Sequence, residues 1–189
     1  MTRILAISGS LRHDSYNGKL LRNAMELFPG DVEVELWDGL KDVPPYDEDD
    51  DGDGAPASVA ALRAAFAGAD AVVISTPEYN SSVPGQLKNA LDWVSRPLAT
   101  NPLRNKPAAV VGASSGAFGA VWAQAELRKV LATIGARVVD ADVAVGHAET
   151  RFDADGTLTD DDLREQLGEV IDALLAAVTE REALVRTAA

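Results

Sequence analysis

The segment Gly9-Ser10-Leu11-Arg12-His13-Asp14-Ser15-Tyr16-Asn17-Gly18 gathers hydroxyls, an amide and a guanidinium directly ahead of a stretch with helical period. A helix N-terminus offers backbone N–H groups that have no partner within the helix, so these side chains and amides together form a phosphate site in chemical terms. The pattern is not a dinucleotide fingerprint, because Leu11 stands where the second Gly of G-x-G-x-x-G belongs. It is not a Walker loop either: Gly18-Lys19 has His13 upstream and Leu20 downstream, where Gly and Ser/Thr are required. A terminal phosphate monoester fits better than a pyrophosphate. Ser10, Arg12, Ser15 and Asn17 can each donate to a dianion, Arg12 to two of its oxygens at once, and Tyr16 lies within the same segment. A Ser-capped helix after an ordinary βα turn is the plainer alternative for these residues.

Two further segments carry polar groups after apolar runs. One reads Thr76-Pro77-Glu78-Tyr79-Asn80-Ser81-Ser82-Val83-Pro84-Gly85-Gln86-Leu87-Lys88-Asn89-Ala90-Leu91-Asp92-Trp93, the other Gly112-Ala113-Ser114-Ser115-Gly116-Ala117-Phe118-Gly119. Pro77 favours an extended exit and Pro84 suits the first turn of a following helix, so the Glu78 to Asn80 backbone is expected to be stiff. The second segment also satisfies G-x-S-x-G, the elbow of a serine hydrolase, with Ser114, Asp140 or Asp142, and His147 in a permitted order. That fold draws its acid and base from separate strand-end loops. Here they lie within a few residues of each other, with no His-Gly-Gly-Gly oxyanion segment upstream.

The elements that must position these loops follow from the pattern of apolar residues. Strands are predicted at Arg3 to Ile7, Val32 to Leu36, Ala71 to Ser75, Ala108 to Ala113 and Arg137 to Ala144. Most are continuous apolar runs, as expected of parallel strands covered on both faces. Helical spacing marks Leu20, Leu21, Ala24, Met25 and Phe28; Val59, Leu62 and Phe66; Leu87, Ala90, Leu91 and Val94; and Leu127, Val130, Leu131 and Ile134. A last helix runs from a capping box of Thr159 and Asp162 through Leu163, Leu167, Val170, Ile171, Leu174, Leu175 and Val178. Strands alternating with helices predict an α/β fold, a doubly wound five-stranded parallel sheet of order 2-1-3-4-5, with all residues 1–189 in one domain. In such a sheet the ends of strands one, three and four meet beside the switch point where ligands bind.

The three loops together resemble the NADPH-dependent FMN reductase family, which includes quinone, chromate and azo-dye reductases. The first is similar to its Gly-Ser-x-Arg-x-x-Ser-x-Asn, the second to its Pro-Glu-Tyr-Asn followed by Pro-Gly-x-Leu-Lys-Asn-Ala-x-Asp-Trp, the third to its Gly-Ala-Ser-x-Gly; Val43 to Asp49 resembles its variable Pro-rich segment. The resemblance implies a flavodoxin-like fold and an FMN whose phosphate sits on the first loop. It also implies that Pro77, Glu78, Tyr79 and Asn80 line the isoalloxazine, while Ser114, Ser115 and Gly116 approach its pyrimidine edge. NADPH or NADH would reduce the flavin and a quinone-like or other small acceptor would reoxidise it, with no side chain acting as acid, base or nucleophile. Relatives work as dimers or dimers of dimers, with Trp93 and Trp122 as candidate interface aromatics that could equally be core. Trp122 stands where many relatives carry Arg. A flavodoxin-type electron carrier shares the fold, the acidity and the FMN, and differs in not oxidising NAD(P)H directly.

Composition narrows the classes. A net charge of -13 and a pI near 4.4 disfavour nucleic acid and membrane surfaces as partners. The absence of cysteine excludes disulfides, thiolate nucleophiles and iron–sulfur ligation. Met1 to Ile7 reads as neither signal peptide nor spanning segment, which implies a cytoplasmic protein. Asp47, Asp49, Asp51 and Gly52 match the early spacings of a calcium loop, but Ser58 replaces the bidentate Glu, so the run to Asp53 is read as a solvated loop.

Overall fold

The computed structural model describes residues 1–52 and 54–188; Asp53, at the end of the acidic run, and Ala189 lie outside the described residues. Strands β1 (Thr2–Ser8), β2 (Val32–Trp37), β3 (Ala71–Thr76), β4 (Pro107–Ala113), β5 (Arg137–Val138) and β6 (Ala144–Val145) form a parallel sheet ordered β2-β1-β3-β4-β5, with β6 also on β4. Every residue of β3 and β4 is buried, so these are the continuous apolar runs the sequence shows. Alternate residues feed opposite faces. Leu5, Ile7, Val72, Ile74, Ala108 and Val110 join one core cluster, and Ile4, Ala6, Ala71, Val73, Ala109 and Val111 the other.

The helices divide between those faces. α2 (Ala57–Gly68), α3 (Gly85–Val94) and α4 (Val121–Thr133) contribute Phe66, Leu91, Trp93 and Leu127 to the first cluster; α1 (Tyr16–Glu26) and α5 (Asp161–Ala188) contribute Leu20, Leu21, Leu167 and Ile171 to the second. This is the flavodoxin-like doubly wound arrangement expected from the sequence. Trp93, a candidate interface aromatic, is wholly buried, and its indole N–H donates to the Pro44 carbonyl at 2.8 Å. Trp122 is half exposed.

The fifth strand departs from expectation. It is not continuous from Arg137 to Ala144: the ladder breaks after Val138 and resumes at Ala144. Asp140 and Asp142 fall in the gap and are exposed, while Val139 and Val143 stay buried. Two aspartates cannot lie in a covered ladder without desolvating their charges. The carbonyls released by the break are taken by the Arg128 guanidinium from α4, which donates to Val139 O at 2.7 Å and to Ala141 O.

The start of α5 also differs. Asp160, not Thr159, holds its first turn, its carboxylate accepting from the Leu163 amide at 3.1 Å, while the Thr159 hydroxyl donates to the Arg151 carbonyl. The same Asp160 side chain pairs with Arg151. Asp160→Ala is therefore expected to lower stability by about 1–2 kcal/mol, the cost of a lost N-cap. Thr159→Ala is expected to cost about half that or less, since an exposed neutral hydrogen bond contributes little. Urea denaturation of the pair decides which residue is the cap.

Candidate functional site

Each loop at the C-terminal edge of the sheet is fixed by contacts that the local sequence supplies. After β1, Gly9 passes so close to its neighbours that an added Cβ would stand 2.8 Å from Leu87 and 3.3 Å from Pro77. Its amide donates to the Ser75 carbonyl at 2.8 Å, which ties the first loop to the end of β3. Ser15 caps α1, its hydroxyl accepting from the Gly18 amide at 2.9 Å. The Tyr16 and Asn17 amides of that first turn have no protein acceptor among the described residues. Asn17 itself is buried: its side-chain NH₂ donates to the Ala113 carbonyl at 2.9 Å, and its oxygen accepts from the Ala113 amide at 3.0 Å and the Ser75 hydroxyl at 2.8 Å. Its oxygen is fully occupied within the protein, and of its side-chain N–H groups one is committed to Ala113, so that a second N–H and the backbone amide are left on the cleft side that Asn17 lines. The Tyr16 ring stacks on Phe152, with centroids 5.9 Å apart, and lies under the Lys19 ammonium.

The loop after β3 is a tight turn. Tyr79 and Ser82 exchange backbone hydrogen bonds, and Asn80 and Ser81 between them adopt φ values of 54° and 60°. That left-handed pair makes a type I′ turn with Asn80 at its tip. Helix α4 grips the turn from both ends. The Glu78 carboxylate accepts from the Trp122 and Ala123 amides at 3.1 Å each, capping α4, and Glu126 accepts from the Ser82 hydroxyl at 2.5 Å and the Val83 amide at 3.2 Å. Hydrogen bonding, above all from Ser82 and then from Val83, holds the Glu126 carboxyl below its ordinary pKa. Pro84 caps α3 instead of entering its first turn. Along α3, Gln86 donates to the Leu40 and Val43 carbonyls, and Asn89 and Trp93 both donate to Pro44, so the helix carries the segment after β2 on its polar edge.

After β4, the Ser114 hydroxyl accepts from the Gly116 amide at 3.1 Å, and the Ser114 and Gly116 carbonyls accept from the Ala148 and His147 amides. Gly119, at φ 58°, packs where a Cβ would meet Ala144 at 2.4 Å, so no larger residue fits. Among the described residues no side-chain hydrogen bond joins His147, Asp140 or Asp142 to Ser114.

These loops enclose one cleft of about 140 Å³. Ser10, Arg12, Ser15, Tyr16, Asn17, Pro77, Glu78, Tyr79, Ser114 and Ser115 line it, together with Ala113. Asn80, at the turn tip, and Gly116 lie beside the lining, not on it. Around the first loop the groups that face a ligand are donors: the serine hydroxyls, the α1 amides and the Arg12 guanidinium, which has no carboxylate within 4.0 Å among the described residues. Asp14, two residues along the chain, is turned to Lys19 at 3.0 Å, a hydrogen bond that holds its carboxyl below the ordinary value. A second cleft, of about 420 Å³, shares Ser10, Arg12 and Ser15 and extends the other way, over the end of β2. Nothing in the sequence pattern signals the Glu126 anchor, which depends on which face of α4 meets the turn.

A family model described as NADPH-dependent FMN reductase matches residues 2–150. The chain belongs to this family. An NAD(P)H-dependent FMN reductase of Pseudomonas aeruginosa is 42% identical over 91% of this chain and 92% of its own length. A 2-hydroxy-1,4-benzoquinone reductase of a Burkholderia species is 38% identical over 95% of this chain and 97% of its own. Among solved structures, FerB, a flavoenzyme NAD(P)H:(acceptor) oxidoreductase from Paracoccus denitrificans, superposes with a TM-score of 0.85 at 38% identity, covering 96% of this chain and 99% of that one. The FMN reductase family makes this chain an oxidoreductase with FMN as cofactor and NAD(P)H as co-substrate. The donor set at the first loop suits the phosphate dianion of FMN, since it offers hydroxyl, amide and guanidinium hydrogens with no competing carboxylate on Arg12.

Asn17→Ala in this FMN reductase is expected to cost about 2–4 kcal/mol in urea denaturation, because it strands the buried Ala113 and Ser75 groups. Glu126 gives a pH test. Its carboxyl is depressed in the folded protein, so its grip on the turn is complete above the usual glutamate value of about 4.3 and fades as pH falls through the lowered one. Amide exchange at Val83 should therefore be protected at neutral pH and lose protection in acid, and Glu126→Gln should remove that acid step.

Proposed function

We propose that this chain passes two electrons from NAD(P)H to quinone-like or other small acceptors, with Ser10, Arg12, Ser15 and the first-turn amides of Tyr16 and Asn17 holding the FMN phosphate. The observation that carries this reading is the convergence of three separately encoded loops on one cleft, where Arg12 has no carboxylate within 4.0 Å among the described residues. When bound, FMN supplies the two-electron chemistry, accepting hydride from NAD(P)H and returning electrons to an acceptor.

The residues then have positioning roles. Pro77 to Asn80, held by α4 through Glu78 and Glu126, present a fixed backbone to the ring. Ser114, Ser115 and Gly116 offer polar groups to its pyrimidine edge. No acid, base or nucleophile is assigned. The reading takes residues 1–189 as one domain and the cytoplasm as its place of action; among the described residues no helix is long and apolar enough to cross a membrane. A homodimer or dimer of dimers is proposed through the face where Phe118 and Trp122, 64% and 50% exposed, meet edge to face at 5.1 Å.

The decisive measurement is a visible spectrum of the desalted, FMN-reconstituted protein under anaerobic NADPH and then a quinone. Bands that bleach with NADPH and return with quinone support the reductase. Bound flavin that NADPH cannot bleach indicates an electron carrier, and failure to retain flavin reopens the G-x-S-x-G hydrolase. Arg12→Ala combined with Ser15→Ala should raise the FMN dissociation constant at least about a hundredfold, since charge-assisted hydrogen bonds are worth roughly 1.5–3 kcal/mol each. Ser114→Ala should leave flavin bound.

A further inference from the structure

The cleft over the end of β2 has a chemistry unlike the rest of the surface. The chain carries 30 acidic residues against 17 lysines and arginines. Yet Arg12, Arg22 and Lys41 all line this one cleft, and none has a carboxylate within 4.0 Å among the described residues. Arg22 reaches back over the start of α1: a Cβ placed on Gly18 would stand 3.6 Å from its Nη1. Lys41 approaches from the turn after β2. Unpaired cations converging from separate elements create a local field for an anion on a protein that otherwise repels one.

The opposite wall is apolar and flat. Trp37 ends β2, and its ring lies against Gly39 so closely that a Cβ there would come within 2.7 Å of it, so only glycine permits that ring position. Leu40 lies beside it, and Asp38 supplies the one carboxylate on the lining. Flat apolar surface, one acceptor and several phosphate-binding cations are the groups that a phosphorylated nucleoside needs, and the 420 Å³ volume exceeds what a lone phosphate would fill.

Resting on the reductase reading above, we infer that this cleft seats the adenosine 2′-phosphate end of NADPH, with Arg22 and Lys41 reading the 2′-phosphate. Neighbouring strands lie roughly 4.8 Å apart, so the end of β2 is on the order of 10 Å from the β3–β4 gap. An extended dinucleotide whose nicotinamide lies over the flavin cleft spans that distance, and the shared first loop makes the two clefts continuous. Asp38 is placed to accept from a ribose or adenine donor. NADH lacks the phosphate and leaves both cations unused, so the site discriminates by charge-assisted hydrogen bonds.

The test uses the FMN-loaded protein and two probes, adenosine 2′,5′-bisphosphate and 5′-AMP, titrated by calorimetry, alongside KM values for NADPH and NADH. The wild type should bind the bisphosphate at least about tenfold more tightly than AMP. The exposed pair Arg22→Gln with Lys41→Gln should abolish that preference and raise the NADPH KM by about tenfold or more, with the NADH KM within about twofold and flavin retained. The swap Arg22→Lys with Lys41→Arg should restore most of it. An unchanged bisphosphate preference in the double variant overturns the inference, as does a matching rise in both KM values. Loss of flavin overturns it too, because the cations would then serve the FMN phosphate. If the wild type oxidises neither nucleotide, the reductase reading fails, and the calorimetric preference alone decides the cleft.

Discussion

The carboxamide of Asn17 bonds both backbone groups of Ala113 and the hydroxyl of Ser75, and so stitches the first turn of α1 to the ends of β4 and β3. Buried where no water competes, such a group must be fully satisfied or it destabilises the fold. Its three bonds fix a single arrangement. The α1 amides are thereby aimed into the cleft that Pro77 to Tyr79 and Ser114 close from the other side. The loops on both sides of the cleft are thus set against one another by one side chain.

A second constraint acts on the turn after β3. Asn80 and Ser81 occupy a left-handed conformation that residues with a Cβ adopt at some cost, and external anchors must hold it. Glu78 and Glu126 provide them, and in doing so tie the turn to α4, whose first turn also carries Trp122. Candidate cofactor loop and candidate subunit face are thus mechanically one piece. That face presents Trp122 as a half-exposed aromatic in edge-to-face contact with Phe118.

Much of this was legible in the sequence because buried parallel strands have an unmistakable pattern: β1, β3 and β4 fall within a residue or so of expectation. The strand predicted from Arg137 to Ala144 failed because apolar content outweighed Asp140 and Asp142, whose charges could not be buried, and because its rescue by Arg128 depends on a helix distant in sequence. The capping-box pattern pointed to Thr159, whose hydroxyl bonds Arg151, one residue short of the true cap. The loops were legible as a set but not residue by residue. Gln86 and Asn89 have the types that bind ligands, and the fold uses their side chains as internal fasteners; Asn17 is a fastener that also lines the cleft. Residue type cannot separate the two uses, since both need the same donors and acceptors.

The broken fifth strand has a consequence for the molecule as a neighbour of its own copies. A parallel sheet ends in two edges, and an uninterrupted apolar edge is a template for further pairing. Here one edge is cut into two-residue pieces with its loose carbonyls claimed by Arg128, and the other, β2, presents Glu33 and Glu35, exposed and negatively charged. Both borders are therefore poor at recruiting strands. A sheet bordered in this way resists growing edge to edge into an aggregate, by backbone and charge alone.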